Sequence, residues 1–337
     1  MARDETHVEV DGVELRISSP SKVLFPEQGW TKLDLVHHFM ACHEGALRGV
    51  FGRPTVLKRW NSGVRGEPVF QKRAPKTDPD HEFATIRFPS GRSAEMFVPR
   101  RAVDVVWLAQ QNCIDLNPWP VRAEDVDRPD ELRIDLDPTP ERSFADVTRV
   151  AVEVDDVLHS HGLTGWPKTS GNRGVHVYVR IEPAWSFTEV RRAALALGRE
   201  VERRLPDLAT TAWWKEERRG VFVDYNQNAR DRTVASAYSV RQTGLVSAPL
   251  TWDDVPDADP RDFPMVGFAE RYEQLGDLTA GIDQAVGRLD GLLELARRDE
   301  EGGLGDAPWP PHFPKQQGEP VRAQPSRRRP RGEEAGP

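Results

Sequence analysis

The chain has 337 residues, 38% of them hydrophobic and 30% charged, with a formal net charge of −8. That is the composition of an ordinary globular enzyme of one large or two small domains. Only Cys42 and Cys113 are present, which excludes a disulfide framework and a cysteine-rich zinc site. No apolar run is long enough to span a bilayer or serve as a leader, so a cytosolic protein with no membrane partner is expected.

In chain order, residues 8–17 alternate as a short hairpin, and a loop with Pro26 and Gly29 follows. Residues 31–49 read as a helix capped by Thr31. Between 55 and 98, the runs TVLKRW, VFQKR, ATIRF and EMFV read as strands separated by Gly- and Pro-containing turns. Arg100–Asn112 is a further helix with Val103, Val106 and Trp107 on one face. The second half opens with the strand LRIDLDP, then a helix from Ser143 to His161. The strand-turn-strand unit GWPKTSGNRGVHVYVRI precedes a helix from Thr188 to Leu205. RGVFVDYNQ and TVASAYSVR read as strands, and Ile282–Arg298 as an amphipathic helix. Residues 301–337 are rich in Pro, Gly, Arg and Glu and are expected to be disordered.

Charge is unevenly placed. From Arg48 to Lys76 there are eight basic residues, among them Arg53, Lys58, Arg59 and Lys72, against one acid, Glu67. From Glu124 to Asp156 there are twelve acids against four arginines. A basic strip beside an acidic one suits an enzyme that grips phosphate and performs metal chemistry on it. Two solvated faces of opposite sign are the plain alternative.

Strand periodicity locates the chemistry. In RIDLDP, Ile134 and Leu136 share one face, so Arg133, Asp135 and Asp137 share the other. Adjacent carboxylates repel each other, and a divalent cation with oxygen ligands is the usual remedy; a solvated edge strand is the alternative. In GVFVDYNQN the same alternation puts Phe222 and Asp224 on one face, and GVHVYVRI presents His176, Tyr178 and Arg180. If these strands are neighbours, Asp135, Asp137 and Asp224 converge and can hold two metal ions for in-line phosphoryl transfer. The turn KTSGNRG places Gly171 and Gly174 where main-chain N–H groups can approach a polyphosphate, with Lys168, Ser170 and Arg173 adding donors and charge.

DLDP, KTSGNRGVHVYV and VDYNQNARDRTVASAYSVR, in that order and spacing, closely resemble the three motifs of the polymerase domain of bacterial ligase D, a member of the archaeo-eukaryotic primase superfamily. The resemblance covers roughly residues 10–300. It implies an α+β fold: an RNA-recognition-like catalytic sheet flanked by helices over about 121–300, joined to an N-terminal α/β subdomain over about 1–120, with the active site in the cleft between. It implies that Asp135, Asp137 and Asp224 are the catalytic metal ligands for two Mn²⁺ or Mg²⁺ ions. Ser170, Arg173 and His176 match the triphosphate motif, Arg241 an arginine on the incoming nucleotide, and Gln227 the family's SQN-like stretch. KVLFP followed by TK matches a pocket for a DNA 5′-phosphate, placing Lys22 and Lys32 there, and Phe70 matches an aromatic that stacks on the template. Three positions depart from the usual pattern: Arg173 stands where Lys is frequent, Asn117 where a nucleotide-linked His is frequent, and Ser19 where Asn is frequent.

The function implied is template-dependent nucleotide addition, with ribonucleotides preferred, at gaps, overhangs or 5′-phosphate ends during DNA repair. Expected partners are such DNA, nucleoside triphosphates and, in end joining, Ku and a separate DNA ligase, since the chain has no Lys-x-Asp-Gly motif for sealing a nick. A metal-dependent nuclease built on the same carboxylates and a non-catalytic end-binding scaffold are the rivals. The triphosphate-type loop argues against the first, and the intact aspartates against the second.

Overall fold

The computed structural model describes residues 4–75, 80–88, 90–310, 313, 315 and 319. Lys76 and the tail's arginine cluster (327–331) lie outside the described residues. The N-terminal hairpin pairs β1 (Glu5–Val10) with β2 (Val13–Ser18), and a second small ribbon joins β3 (Val23–Phe25) to β4 (Trp30–Thr31).

The expected helix over 31–49 is two helices, α1 (Lys32–Ala41) and α2 (His43–Val50). Thr31 and Asp34 form a capping box at the start of α1. The break falls at Cys42, whose main chain (φ −117°, ψ 24°) leaves helical geometry. Next come β5 (Thr55–Arg59), β6 (Val69–Gln71), β7 (Glu82–Arg87) and β8 (Ser93–Val98), assembled in the order β6-β5-β8-β7. Helix α3 (Ala102–Gln110) follows, then the short β9 (Asn117–Pro118), which pairs with β5.

The second sheet is built on β10 (Glu131–Pro138). With β11 (Trp166–Thr169), β12 (Val175–Arg180), β13 (Ala209–Thr210) and β14 (Val221–Val223) it runs in the order β11-β12-β10-β14-β13. All its pairings are antiparallel except β13 with β14. Helices α4 (Phe144–Ser160) and α5 (Phe187–Arg204) pack on its apolar back. Both begin in capping boxes, Ser143 with Asp146 and Ser186 with Glu189. Leu132, Ile134, Leu136, Val175, Val177 and Val179 face these helices within one continuous core that also takes in Leu35, Phe39, Leu57 and Phe97. The mixed α and β architecture expected from the sequence is present.

Three expectations fail locally. Residues 233–241 are not a strand: Tyr238 sits at φ 65°, a left-handed angle that interrupts any ladder. The segment instead runs irregularly beside residues 114–116, with Ser236 N–H donating to Leu116 O and Val240 N–H to Ile114 O. The helix expected from Ile282 is only a 3-10 turn (Ile282–Gln284), and α7 runs Asp290–Glu301. Gly287 lies between them because it bridges to Ile181, and its main chain approaches Leu163 so closely that an added Cβ would fall 2.4 Å from a leucine methyl. Finally, the tail is not disordered from 301: Ala307 and Trp309 are buried. An eight-residue helix, α6 (Phe268–Leu275), was not foreseen.

Candidate active site

Register brings the sequence-predicted carboxylates together. On β10, Asp135 is the partner of His176 on β12. On the other side, Leu136 pairs with Val223 and Asp137 with Phe222, and Asp224 N–H donates to Asp135 O at 2.9 Å. Lys168 on β11 pairs with His176. One row therefore crosses the sheet as Lys168, His176, Asp135 and Asp224, all on the polar face, with Asp137 two residues along β10.

The electrostatics of this row are unbalanced. Burial raises the Asp135 carboxyl above its usual range, and Arg241 and Lys168 only partly oppose this. Asp137 is pushed up to about 7, mainly by the charge of Asp135 and then by burial. Asp224 is pushed up to about 7 by burial and then by Asp135. Gln227 Nε2 donates to Asp135 Oδ2 at 3.0 Å and to Asp224 Oδ2 at 3.1 Å. Among the described residues no set of three His, Cys, Asp or Glu side chains closes tightly enough to enclose a metal ion, because this amide lies between two of the carboxylates. The donor set nevertheless fits a hard cation: buried oxygens, net negative charge, and two carboxylates already directed at one amide N–H donor.

His176 is held from both sides. Its Nε2 lies 3.3 Å from Asp135 Oδ1 and its Nδ1 lies 2.6 Å from Lys168 Nζ. The Lys168 amino group donates also to Ala235 O and Ser247 Oγ, and burial, then Arg241, holds it well below the usual lysine range. With the Asp135 carboxylate as the acceptor at Nε2, that nitrogen carries the proton and Nδ1 accepts from Lys168. Burial, then Lys168 and Arg241, hold His176 well below its usual pKa, so the ring is neutral at pH 7. Lys168 was expected to add charge to the phosphate loop. It is instead 2% exposed and spends its donors behind His176, a correction set by the inward pairing of β11.

The KTSGNRG turn is shaped by close approaches. An added Cβ at Gly171 would meet Arg241 Cγ at 2.4 Å, and one at Gly174 would meet Leu136 O at 2.5 Å. Ser170 Oγ accepts from Asn172 N–H and Gly174 N–H. Arg173 is exposed and its Nη2 donates to Arg142 O.

A cleft of about 450 Å³ unites these groups. One wall carries Asp135, Asp137, Ser170, Arg173, His176, Gln227 and Arg241; the other carries Lys58, Phe70, Asp115 and Asn117 from the N-terminal half. Asp224 does not itself line the cleft and is reached through Gln227. Phe70, on the edge strand β6, is 62% exposed. Asn117 donates to Asp115 O, and Asp115 pairs with Lys58 at 2.8 Å. Sequence reasoning missed Asp115, although it stands two residues before Asn117 on the same alternation. It also missed Thr233, Val234 and Ala235, which line the cleft because their segment is a loop and not a strand.

The remaining basic candidates divide. Arg53 is fully buried, bonded to Asp130 at 2.6 Å and 3.0 Å and paired with Glu131. Expected to touch DNA, it is a core ion-pair residue. Lys72 pairs with Asp231, and Arg59 donates to Gln111 O and Gln71 Oε1. Lys22 donates to Asn61 O, and the buried Lys32 to Ser18 O and Gln110 O. Burial, Lys22 and Arg59 together lower Lys32 to about 8, so these three cations share one locality.

Comparison with known proteins places the chain in a family. The family described as LigD, primase-polymerase domain, matches residues 31–279. The multifunctional non-homologous end joining protein LigD of Mycolicibacterium smegmatis is 30% identical over 307 residues, 89% of this chain and 40% of that protein. The bifunctional LigD of Bacillus subtilis is 30% identical over 268 residues, 78% of this chain and 43% of that protein. The chain thus spans about two fifths of the length of these curated relatives. The solved polymerase domain of Mycobacterium tuberculosis ligase D, in complex with DNA, superposes with a TM-score of 0.73 at 29% identity, covering 80% of this chain and 98% of that one. Among the described residues no helix is long and apolar enough to cross a membrane.

Proposed function

The chain belongs to the LigD primase-polymerase family, and on that premise we propose that it adds nucleotides to a DNA primer at gaps, overhangs or 5′-phosphate ends. Residues 1–300 form the catalytic domain, with its two halves meeting near residue 120. The observation that carries the proposal is the one cleft in which Asp135 and Asp137 stand beside Ser170, Arg173 and Arg241. That sets a cation-binding group next to a triphosphate-binding one, and a nuclease has no need of the second.

The family is metal-dependent; Asp135, Asp137 and Asp224 would hold Mn²⁺ or Mg²⁺, which supplies charge stabilisation for the attacking and leaving oxygens. The chain's own groups do the rest. Arg173 and Arg241 take the phosphate charge, and Ser170, whose oxygen accepts two main-chain N–H groups, keeps its hydroxyl proton free to donate. Neutral His176 presents its Nε2 proton at the rim of the carboxylates. Attack of the primer 3′-hydroxyl on the α-phosphorus then expels pyrophosphate along this cationic side. Asn117 and Asp115, at the opposite end of the cleft, meet the sugar, and a preference for ribonucleotides is expected. Phe70 stacks on the template, with Lys58, Arg59 and Lys72 along its backbone. An anion such as a 5′-phosphate would relieve the mutual repulsion of Lys22, Lys32 and Arg59. The relatives are named for non-homologous end joining; work alongside Ku and a separate ligase in the bacterial cytosol is part of this proposal.

Nucleotide titration tests the cleft. Arg173→Ala and Arg241→Ala should each weaken ATP binding by about 1.5–3 kcal/mol, the worth of a charge-assisted contact, and leave DNA affinity unchanged. Normal nucleotide binding with loss of DNA binding would mean that the two sites are exchanged.

A further inference from the structure

The segment Asp306–Trp309 lies beyond residues 31–279 that the family model matches, yet it touches the turn that carries Asp224. Arg191 on α5 is 1% exposed and Asn226 is 2% exposed. Arg191 donates from Nε to Asn226 Oδ1, from Nη1 to Asp306 Oδ1, and from Nη2 to Ala307 O and Pro308 O. Asn226 Nδ2 donates to Pro308 O as well, and Asn226 N–H donates to Asp224 Oδ1 at 2.9 Å. The Arg191 guanidinium lies 4.1 Å from the centre of the Trp309 ring and 5.1 Å from that of the Tyr225 ring. Trp309 Nε1 in turn donates to Asp306 Oδ2. All three guanidinium nitrogens of Arg191 have partners, and Asp224 is at the end of this chain of contacts.

We propose that Asp306–Trp309 is a strap that positions Asp224 and Gln227 for cation binding, acting through Arg191 and Asn226. It rests on the metal role proposed for Asp224. Without the strap, Arg191 loses the acceptors for both terminal nitrogens and its stacking ring, and Asn226 loses Pro308 O. The buried guanidinium must then move to find other partners, and it is bonded directly to the residue whose N–H fixes the Asp224 carboxylate. Groups one step removed from a metal ligand commonly govern affinity in this way.

Calorimetric titration of Mn²⁺ into the metal-free full chain, with melting temperatures recorded alongside, tests the strap. Asp306→Ala and Trp309→Ala should each weaken Mn²⁺ binding several-fold, less than the roughly tenfold that loss of a group bonded directly to a metal ligand brings, since both act through Arg191 and Asn226. Trp309→Phe keeps a ring over Arg191 and should stay close to wild type. High Mn²⁺ should restore primer extension by the weakened variants. A chain ending at Gly303 should show the larger loss; should it fail to fold, the point variants decide. Variants that melt earlier but bind Mn²⁺ as the wild type does overturn the proposal, since the strap then only adds stability. A wild type that binds no Mn²⁺ overturns the metal reading of Asp224 and the strap's role together.

Discussion

Replacing Asp224 by Asn should stabilise the metal-free protein at pH 8. The Asp224 carboxyl is pushed from 3.8 to about 7 by burial and by Asp135. A group whose folded pKa is raised favours folding when protonated, and that contribution is lost as pH rises through the folded value. With about 1.4 kcal/mol per tenfold change in proton affinity, an ionised Asp224 opposes folding by up to roughly 4 kcal/mol. Partial exposure and coupling to Asp135 reduce this to about 2–3 kcal/mol. Asn keeps the acceptor for Asn226 N–H but disturbs the bond from Gln227, a loss of about 1 kcal/mol. The net gain is about 1–2 kcal/mol, or a rise of roughly 2–6 °C in Tm for a chain of this size. Calorimetry in EDTA should show this gain at pH 8 and should show it shrink steadily as pH falls from 7 toward 3.8, below which the carboxyl is protonated in both the native and the unfolded chain. Mn²⁺ should then raise the Tm of the wild type more than that of the variant. A variant melting at or below the wild type at pH 8 would refute the repulsion assigned to this row.

Other outcomes follow from the same contacts. Arg53→Ala should destabilise by about 3–5 kcal/mol, as expected for a broken buried pair, while the salt dependence of DNA binding stays unchanged; a shallower salt slope would return Arg53 to the DNA surface. Phe70→Ala should weaken gapped-DNA binding by about 1–3 kcal/mol, the worth of one stacked base, with little change in Tm because the ring is exposed; unchanged affinity would remove it from the template path. Lys168→Met should orphan His176 Nδ1 and release the fixed Nε2–H tautomer, visible in histidine ¹⁵N shifts, and raise the KM for nucleotide; a retained tautomer would show that Asp135 alone sets the ring.

Much of this site was legible because strand alternation is a strong constraint. Ile134 and Leu136 had to face a core, so Asp135 and Asp137 had to face the cleft, and the register of β10 with β12 and β14 did the rest. Loop conformation was less legible. The alternating run VASAYSV imitates a strand, and only the left-handed Tyr238 and its non-local hydrogen bonds make it the cleft's lining. Charge type also says nothing about burial: Arg53 and Lys168 read as ligands for phosphate, yet their partners, Asp130 and His176, lie 77 and 8 residues away. The strap was hidden for a similar reason, since a Pro- and Gly-rich stretch carries no periodicity and its order comes from Arg191, 115 residues earlier than Asp306.

The central claim is that the paired carboxylates of β10 catalyse nucleotide addition. It is tested most directly by primer extension on a short gap bearing a downstream 5′-phosphate, with ATP or dATP and with Mn²⁺ or EDTA. Wild-type protein should extend the primer in Mn²⁺, prefer ATP and stop in EDTA. Asp135→Ala with Asp137→Ala should abolish addition while the Tm in EDTA holds level or rises. Wild-type-like extension by the double variant would contradict the account.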